Sequence, residues 1–438
     1  MIVNDQLTVP ELRDMLLGEK QNEGYKMYRE VVDNSAPLAA LTHELLDSVF
    51  GRSILARHIL AFIIIFLQSA YVGVLFISKR VLSENTYIPS LMFALLFFFS
   101  YDTLSLSNEL LGSGFLLLAL NNIFAEIEFR NERDESIFNV GICISLASLF
   151  AFSFVVYLFC AIVILLIFTR STVRKHLLLI FGFLMPHLLT LSIAYLNDST
   201  RELWNYFYLP NLSFESTRFV DTQTLLTLAA FPLLYFAVSL FMLNREARFS
   251  KYQSQILQAV LLWVVFSVLF VLYANDLRPQ TLIVFIPGIS LLLTHFFLLI
   301  RRKKFVNLNF WVLLVGIITM AYLARYEKIP SVDYSRLLVH DDPDQVRNKR
   351  ILILSDEVDL YRANNLATPF LNWGLSEEIF RNPDYYNNVT RVYRSFKNDP
   401  PDIIYDRENL LGDFFFRMPE IGESYIREGE RYTRRINN

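Results

Sequence analysis

IFNVGICISLASLFAFSFVVYLFCAIVILLIFT, residues 137–169, contains no charged side chain, and how it is read decides the fold. As one helix rising about 1.5 Å per residue it would reach roughly 50 Å, well beyond a hydrocarbon core of about 30 Å. Two helices breaking near residues 151–153 fit better. Residues 88–126 are also too long for one crossing and carry Asp102, Ser105, Ser107, Asn108 and Glu109 at their middle, which predicts two short spans joined by a polar turn. The apolar stretches near 58–78, 176–196, 224–243, 256–275, 279–300 and 307–325 each suffice for one crossing. The expected fold is an all-α polytopic membrane bundle of about ten helices.

Composition agrees. The 438 residues are 54% hydrophobic and 15% aromatic, with 39 Phe, more apolar than a soluble fold that must cover itself in charge. The charged residues, 19% of the chain, crowd into both ends and divide it into three zones. Residues 1–57 form an outward-facing first loop with helices, 58–326 the transmembrane domain, and 327–438 a small soluble α/β domain. A net charge of −3 singles out no partner. Cys143 and Cys160 lie in apolar stretches, where no structural disulfide is expected. His187 and His295 have no second His or Cys at ligand spacing, so a divalent metal site is not expected and packing or a helix-to-helix hydrogen bond is their default role. No glycine-rich phosphate loop, His-Glu-x-x-His or paired Cys-x-x-Cys occurs, which argues against an ATPase, a metalloprotease or a nucleic-acid binder.

Cationic side chains fall on every second connection: Lys79 and Arg80, Arg130 and Arg133, Arg170 with Arg174 and Lys175, Arg245 with Arg248 and Lys251, and Arg301 to Lys304. The positive-inside rule assigns these loops to the cytoplasm and both chain ends to the outside. Residues 1–6 lack the basic start and apolar run of a signal peptide. A first membrane helix upstream of Met1 explains the outward N-terminal segment better than translocation after synthesis.

Residues 10–52, PELRDMLLGEKQNEGYKMYREVVDNSAPLAALTHELLDSVFGR, place Glu11, Gly24, Tyr25, Tyr28, Asp33, Pro37, Leu38, Phe50 and Gly51 in a distinctive order. This segment resembles the first outward loop of the GT-C integral membrane glycosyltransferases, such as protein O-mannosyltransferases and aminoarabinose transferases. It is most similar to an uncharacterised bacterial family of multi-pass envelope proteins sharing the loop from LTVPEL to FGRS. RPQTLIVFIPGIS at 278–290 is similar to that fold's late helix with a basic residue at its outer end. RILILSDEVDLYR at 350–362 and DPPDIIYDREN at 399–409 read as buried strands leading into turns, like the soluble domain that follows the last helix in many such enzymes.

The resemblance implies transfer of a sugar from a polyprenyl phosphate carrier at the periplasmic face of a bacterial inner membrane. It implies a carboxylate near the attacking hydroxyl and cations near the departing phosphate. Where GT-C enzymes carry the first-loop Asp this chain has Pro10, so Glu11, Asp33 and Asp102 are the catalytic candidates. Arg278 is the first phosphate ligand, with Arg201 and Arg218 as helpers and Trp204 as a sugar or prenyl platform.

Each candidate has a plainer role beside the chemical one. Thr8 and Glu11 match a helix-capping box, with Pro10 in the first turn. Asp33 before Asn34-Ser35 can start a turn, and Asp102 with Glu109 can form a polar turn outside the lipid. Arg278 can pair with Asp276, and Trp204 can belong to an interfacial aromatic belt. The departure at Pro10 also motivates a different class of function: a catalytically silent scaffold or subunit of an envelope or secretion complex, with membrane lipid and other membrane proteins as its partners.

Overall fold

The computed structural model describes residues 7–129, 134–169, 172–213, 217–246, 249–340 and 346–435. Arg130, Arg133, Arg170 and Arg248 of the cationic loops lie outside the described residues. Two helices open the chain, α1 (Val9–Asn22) and α2 (Pro37–Phe50), followed by α3 (Ile54–Ser78) and α4 (Ile88–Leu96). Next come α5 (Asn108–Phe129), α6 (Asp134–Ser148), α7 (Val156–Phe168) and α8 (Val173–Leu196). Further long helices occupy Lys251–Tyr273, Pro279–Leu299 and Lys303–Arg325.

The chain is a helical membrane protein. Among the described residues, six helices are long and apolar enough to cross a membrane, seven if the bent pair Thr222–Leu228 and Ala230–Arg245 counts as one span. That pair turns by 65°, where the sequence pattern expected a straight span at 224–243. Pro232 accounts for the break: it has no N–H to donate, and its ring crowds the carbonyl four residues back. Ile88–Phe99 and Phe152–Phe168 are apolar but shorter. In the charge-free stretch, α6 ends at Ser148, and a 3₁₀ turn, Phe152–Val155, leads into α7. Many large apolar side chains of these helices point away from the protein, among them Phe66 and Leu189, as lipid-facing positions do.

Small residues let α6 and α8 meet backbone to backbone. A Cβ on Gly141 would sit 2.2 Å from the Leu179 carbonyl oxygen, and one on Gly182 would sit 2.3 Å from that of Phe138. Close crossings of this kind need glycine in a bilayer. The same helices share a hydrogen bond of 2.9 Å between Ser148 Oγ and His187 Nε2, and His187 Nδ1 lies 3.1 Å from Tyr208 Oη. Gly141→Ala is expected to destabilise the chain by about 1–3 kcal/mol, the usual cost of overpacking. Thermal unfolding of the detergent-purified variant checks this, and an unchanged midpoint would show that the crossing is looser than described.

Two short strands, β1 (Thr217–Arg218) and β2 (Asp276–Leu277), pair in parallel. The C-terminal part builds a five-stranded sheet from β3 (Arg350–Ile353), β4 (Asn365–Leu366), β5 (Ile403–Tyr405), β6 (Tyr425–Glu428) and β7 (Arg431–Arg434), in the order β4-β3-β5-β7-β6. β4, β3 and β5 run parallel, while β7 and β6 are antiparallel. Helices Trp373–Arg381 and Tyr386–Asn398 cover it, with Phe380, Val392 and Phe396 buried beside Leu352 and Ile404.

The first loop is stitched to this layer. Val9 N donates to Leu337 O, Val339 N to Leu7 O, Val32 N to Pro369 O and Asn372 N to Val32 O. These bonds satisfy backbone groups that would otherwise be stranded between layers, and they hold α1 and residues 31–36 between the helix bundle and the sheet.

Candidate functional site

Where these parts meet they enclose a cavity of about 970 Å³. Its walls come from α1, residues 33–36, the first residues of α5, the break between α6 and α7, residues 210–213 and 217–219, the turn at 274–278 and the C-terminal segments near 335–340, 355–359 and 371–375. α5 begins here, Lys251–Tyr273 ends here and Pro279–Leu299 begins just beyond Arg278, so the cavity sits at one end of the apolar helices.

Asp33 lines it, 7% exposed, with Oδ2 accepting the Ser35 N–H at 3.0 Å. Burial pushes its pKa up and Asp14 adds to the rise, while the Ser35 hydrogen bonds and the Arg13 charge oppose it. Arg278 also lines the cavity and donates through Nη2 to Glu109 Oε2 at 2.7 Å, joining residues far apart in the chain. Burial works to lower the guanidinium pKa, but Glu109, Asp276 and Asp102 outweigh it and raise it, so Arg278 stays charged. Burial likewise raises the Asp276 carboxyl, against Arg278 and Arg13. The β1–β2 pairing sets Arg218 beside Leu277 in register, bringing an exposed guanidinium to the cavity.

Of the residues singled out from the sequence, the fold thus gathers Asp33, Arg278 and Arg218 around one space. Glu11 is elsewhere: its carboxylate accepts from Thr8 N at 3.1 Å and Thr8 Oγ1 at 2.9 Å, completing the capping box, and lies 3.0 Å from His58 Nε2. Asp102 is fully buried in a turn behind the cavity wall rather than on it. Arg201, exposed on the short helix Thr200–Leu203, and Trp204, 51% exposed, do not line the cavity. The polar partner of Arg278 is Glu109, not only its sequence neighbour Asp276.

Arg13 and Asp14 were missed by sequence reasoning, and helix geometry shows the signal. Pro10, Arg13 and Asp14 all line the cavity, and positions i, i+3 and i+4 share one helix face. The face that carries Pro10 therefore presents a carboxylate one turn later. Asp14 Oδ1 lies 3.4 Å from His43 Nε2, which is 2.9 Å from Asn108 Oδ1, so the acid is braced from behind by α2 and α5. Among the described residues, no three His, Cys, Asp or Glu side chains gather as a metal-ligand group.

Residues 43–330 match a family described as Family of unknown function (DUF6427). The chain belongs to this family. Its match spans α3 to the last long helix and most of the membrane part of the cavity wall. No curated protein matches the chain. Among solved structures, the Archaeoglobus fulgidus oligosaccharyltransferase in its apo form is similar at 10% sequence identity and a TM-score of 0.47, over 92% of this chain and 66% of that one. The chain thus spans just under two thirds of that protein's length. A likeness this loose fixes neither fold nor activity.

Proposed function

We propose that this member of the family is a GT-C-like glycosyltransferase that uses a polyprenyl-phosphate-linked sugar at the periplasmic face of the bacterial inner membrane. One observation carries this reading: carboxylates and guanidiniums converge on a single large cavity at one end of a set of apolar helices. A lipid phosphate enters such a place with its chain in the bilayer and its headgroup in the cavity. In this proposal the bent pair, the two shorter apolar helices and α6 complete ten crossings, with both ends of the chain periplasmic and the C-terminal sheet closing the cavity from outside.

Asp33 takes the proton from the acceptor hydroxyl as that oxygen bonds to the anomeric carbon, and the bond to phosphate breaks with its electron pair leaving on the phosphate oxygen. A carboxyl whose pKa is raised toward neutrality is suited to that transfer. Arg278, Arg218 and Arg13 neutralise the departing phosphate. Arg278 Nε has no protein hydrogen-bond partner, which leaves a donor for a phosphate oxygen.

Asp33→Asn is expected to abolish the chain's function in its host while leaving the fold intact or slightly more stable. The sign follows from linkage. A carboxyl with a higher pKa folded than unfolded binds protons preferentially in the folded state, so its ionisation costs stability as pH climbs from the unfolded value to the folded one. Asn removes that cost. Complementation and thermal unfolding of the same variant check both halves, and a fully functional Asp33→Asn chain ends the catalytic assignment.

A silent subunit is the second reading, favoured by the tight Arg278–Glu109 pair, which already neutralises the guanidinium. Added polyprenyl phosphate raises the unfolding temperature of the purified chain under the first reading and leaves it unchanged under the second.

A further inference from the structure

We propose that the enclosure around Asp102 binds a single alkali cation, at a site separate from the cavity. Asp102 is 1% exposed, and no side chain hydrogen-bonds its carboxylate, which has the Gln280 backbone N–H nearby. Around it, Tyr101 Oη and Gln280 Oε1 are also buried and unpartnered, while Ser100 Oγ and Tyr334 Oη face each other. The groups share one neighbourhood. Tyr101 and Tyr334 meet edge to face at 5.3 Å between ring centroids, and the Tyr334 hydroxyl feels both Ser100 and Asp102. Gln280 Nε2 donates to Asp102 O at 2.7 Å and to Ser105 Oγ at 2.5 Å. Ser105 Oγ itself donates to Asp102 O, so the Gln280 amide cannot be flipped without losing both bonds, and its oxygen is left without a partner.

Buried polar atoms almost always find partners, and an isolated carboxylate is the costliest kind to leave without one. The unpartnered atoms here are all oxygens, the donor set that hard cations take. Charge selects the valence. Arg278 is engaged by Glu109 at 2.7 Å, Glu11 faces His58, and Arg325 lies over the Tyr101 ring rather than at its hydroxyl. Arg278 eases the Asp102 charge without a hydrogen bond to it, so the carboxylate lacks a directly bound cation. A monovalent ion balances it, while a divalent ion would leave a buried excess of positive charge. Burial raises the Asp102 pKa to about 7, with Arg278 opposing and Glu11 and Glu109 adding, so at pH 8 the carboxyl is ionised and open to a cation.

The test is thermal unfolding of the detergent-purified full chain at pH 8 in sodium, potassium or choline chloride at equal ionic strength. Sodium or potassium is expected to raise the midpoint above that in choline by roughly 5 °C, growing with the logarithm of concentration. Asp102→Asn keeps the shape, removes the charge and should abolish the dependence. Tyr334→Phe keeps the packing and should shift the dependence to higher salt. Equal midpoints in all three salts for the unmodified chain overturn the proposal, showing that the enclosure holds only water. So does a dependence that survives in Asp102→Asn. Stabilisation by magnesium chloride where neither alkali salt stabilises overturns the monovalent assignment.

Discussion

Arg278→Ala is expected to cost the folded chain about 3–5 kcal/mol, because it strips the partner from a buried carboxylate. Glu109 is buried and its Oε2 receives the Arg278 Nη2 at 2.7 Å. Asp276 and Asp102 add negative charge that Arg278 offsets, with Arg13 contributing at Asp276. In a chain of 438 residues such a loss corresponds to a fall of about 3–5 °C in unfolding temperature. The double variant Arg278→Met with Glu109→Leu separates the structural role from the chemical one. Replacing a whole buried ion pair by apolar side chains of similar size is often neutral or stabilising, so the double variant should regain most of the lost stability. It should not regain binding of polyprenyl phosphate, since the guanidinium is gone. An Arg278→Ala chain as stable as the parent contradicts the burial described, and a double variant that recovers both stability and binding leaves Arg278 a structural residue only.

The membrane part was legible because lipid imposes a length. A charge-free run too long for one crossing had to break, and α6 and α7 break beside the expected residues. The bend at Pro232 was less legible, since proline is tolerated within membrane helices when neighbours satisfy the freed carbonyls. β3 and β5 announced themselves as short apolar runs bounded by polar turns. The site was only partly legible. Asp33 and Arg278, singled out from the sequence, line the cavity, but which carboxylates face it depends on how α1 is rotated and on pairings such as Glu109 with Arg278, which no local pattern encodes. Glu11 shows the limit from the other side. Its capping motif was visible from spacing alone, and that motif uses its oxygens. Asp102 and Glu109, close neighbours in one polar turn, part company in three dimensions: one lines the cavity and the other is sealed behind it.

Asp399→Ala is expected to be the most damaging change outside the membrane part, at about 3–5 kcal/mol, and to exceed Lys20→Met. Lys20 on α1 is 1% exposed and its Nζ lies 2.7 Å from Asp399 Oδ2, bridging the first loop and the C-terminal layer. The two ends of that bridge are not equivalent. Asp399 also pairs with Arg350, whose Nε lies 2.8 Å away, and accepts the Thr368 N–H at 3.0 Å, so removing it strands an amide and leaves Lys20 and Arg350 to share Glu23. Removing Lys20 takes away one donor and leaves Asp399 with Arg350 and Thr368. Without Asp399 the Lys20 ammonium retains only Glu23, itself part-exposed, as its counter-charge. Because α1 also carries Pro10, Arg13 and Asp14 on the cavity face, loosening its bond to the sheet should open the cavity wall before the membrane helices unfold. Hydrogen exchange then should rise first in α1 and around Thr368, with α5 and α8 still protected. If Lys20→Met proves as costly as Asp399→Ala, Arg350 does not share the charge, and the bridge is a simple pair rather than a three-way clamp.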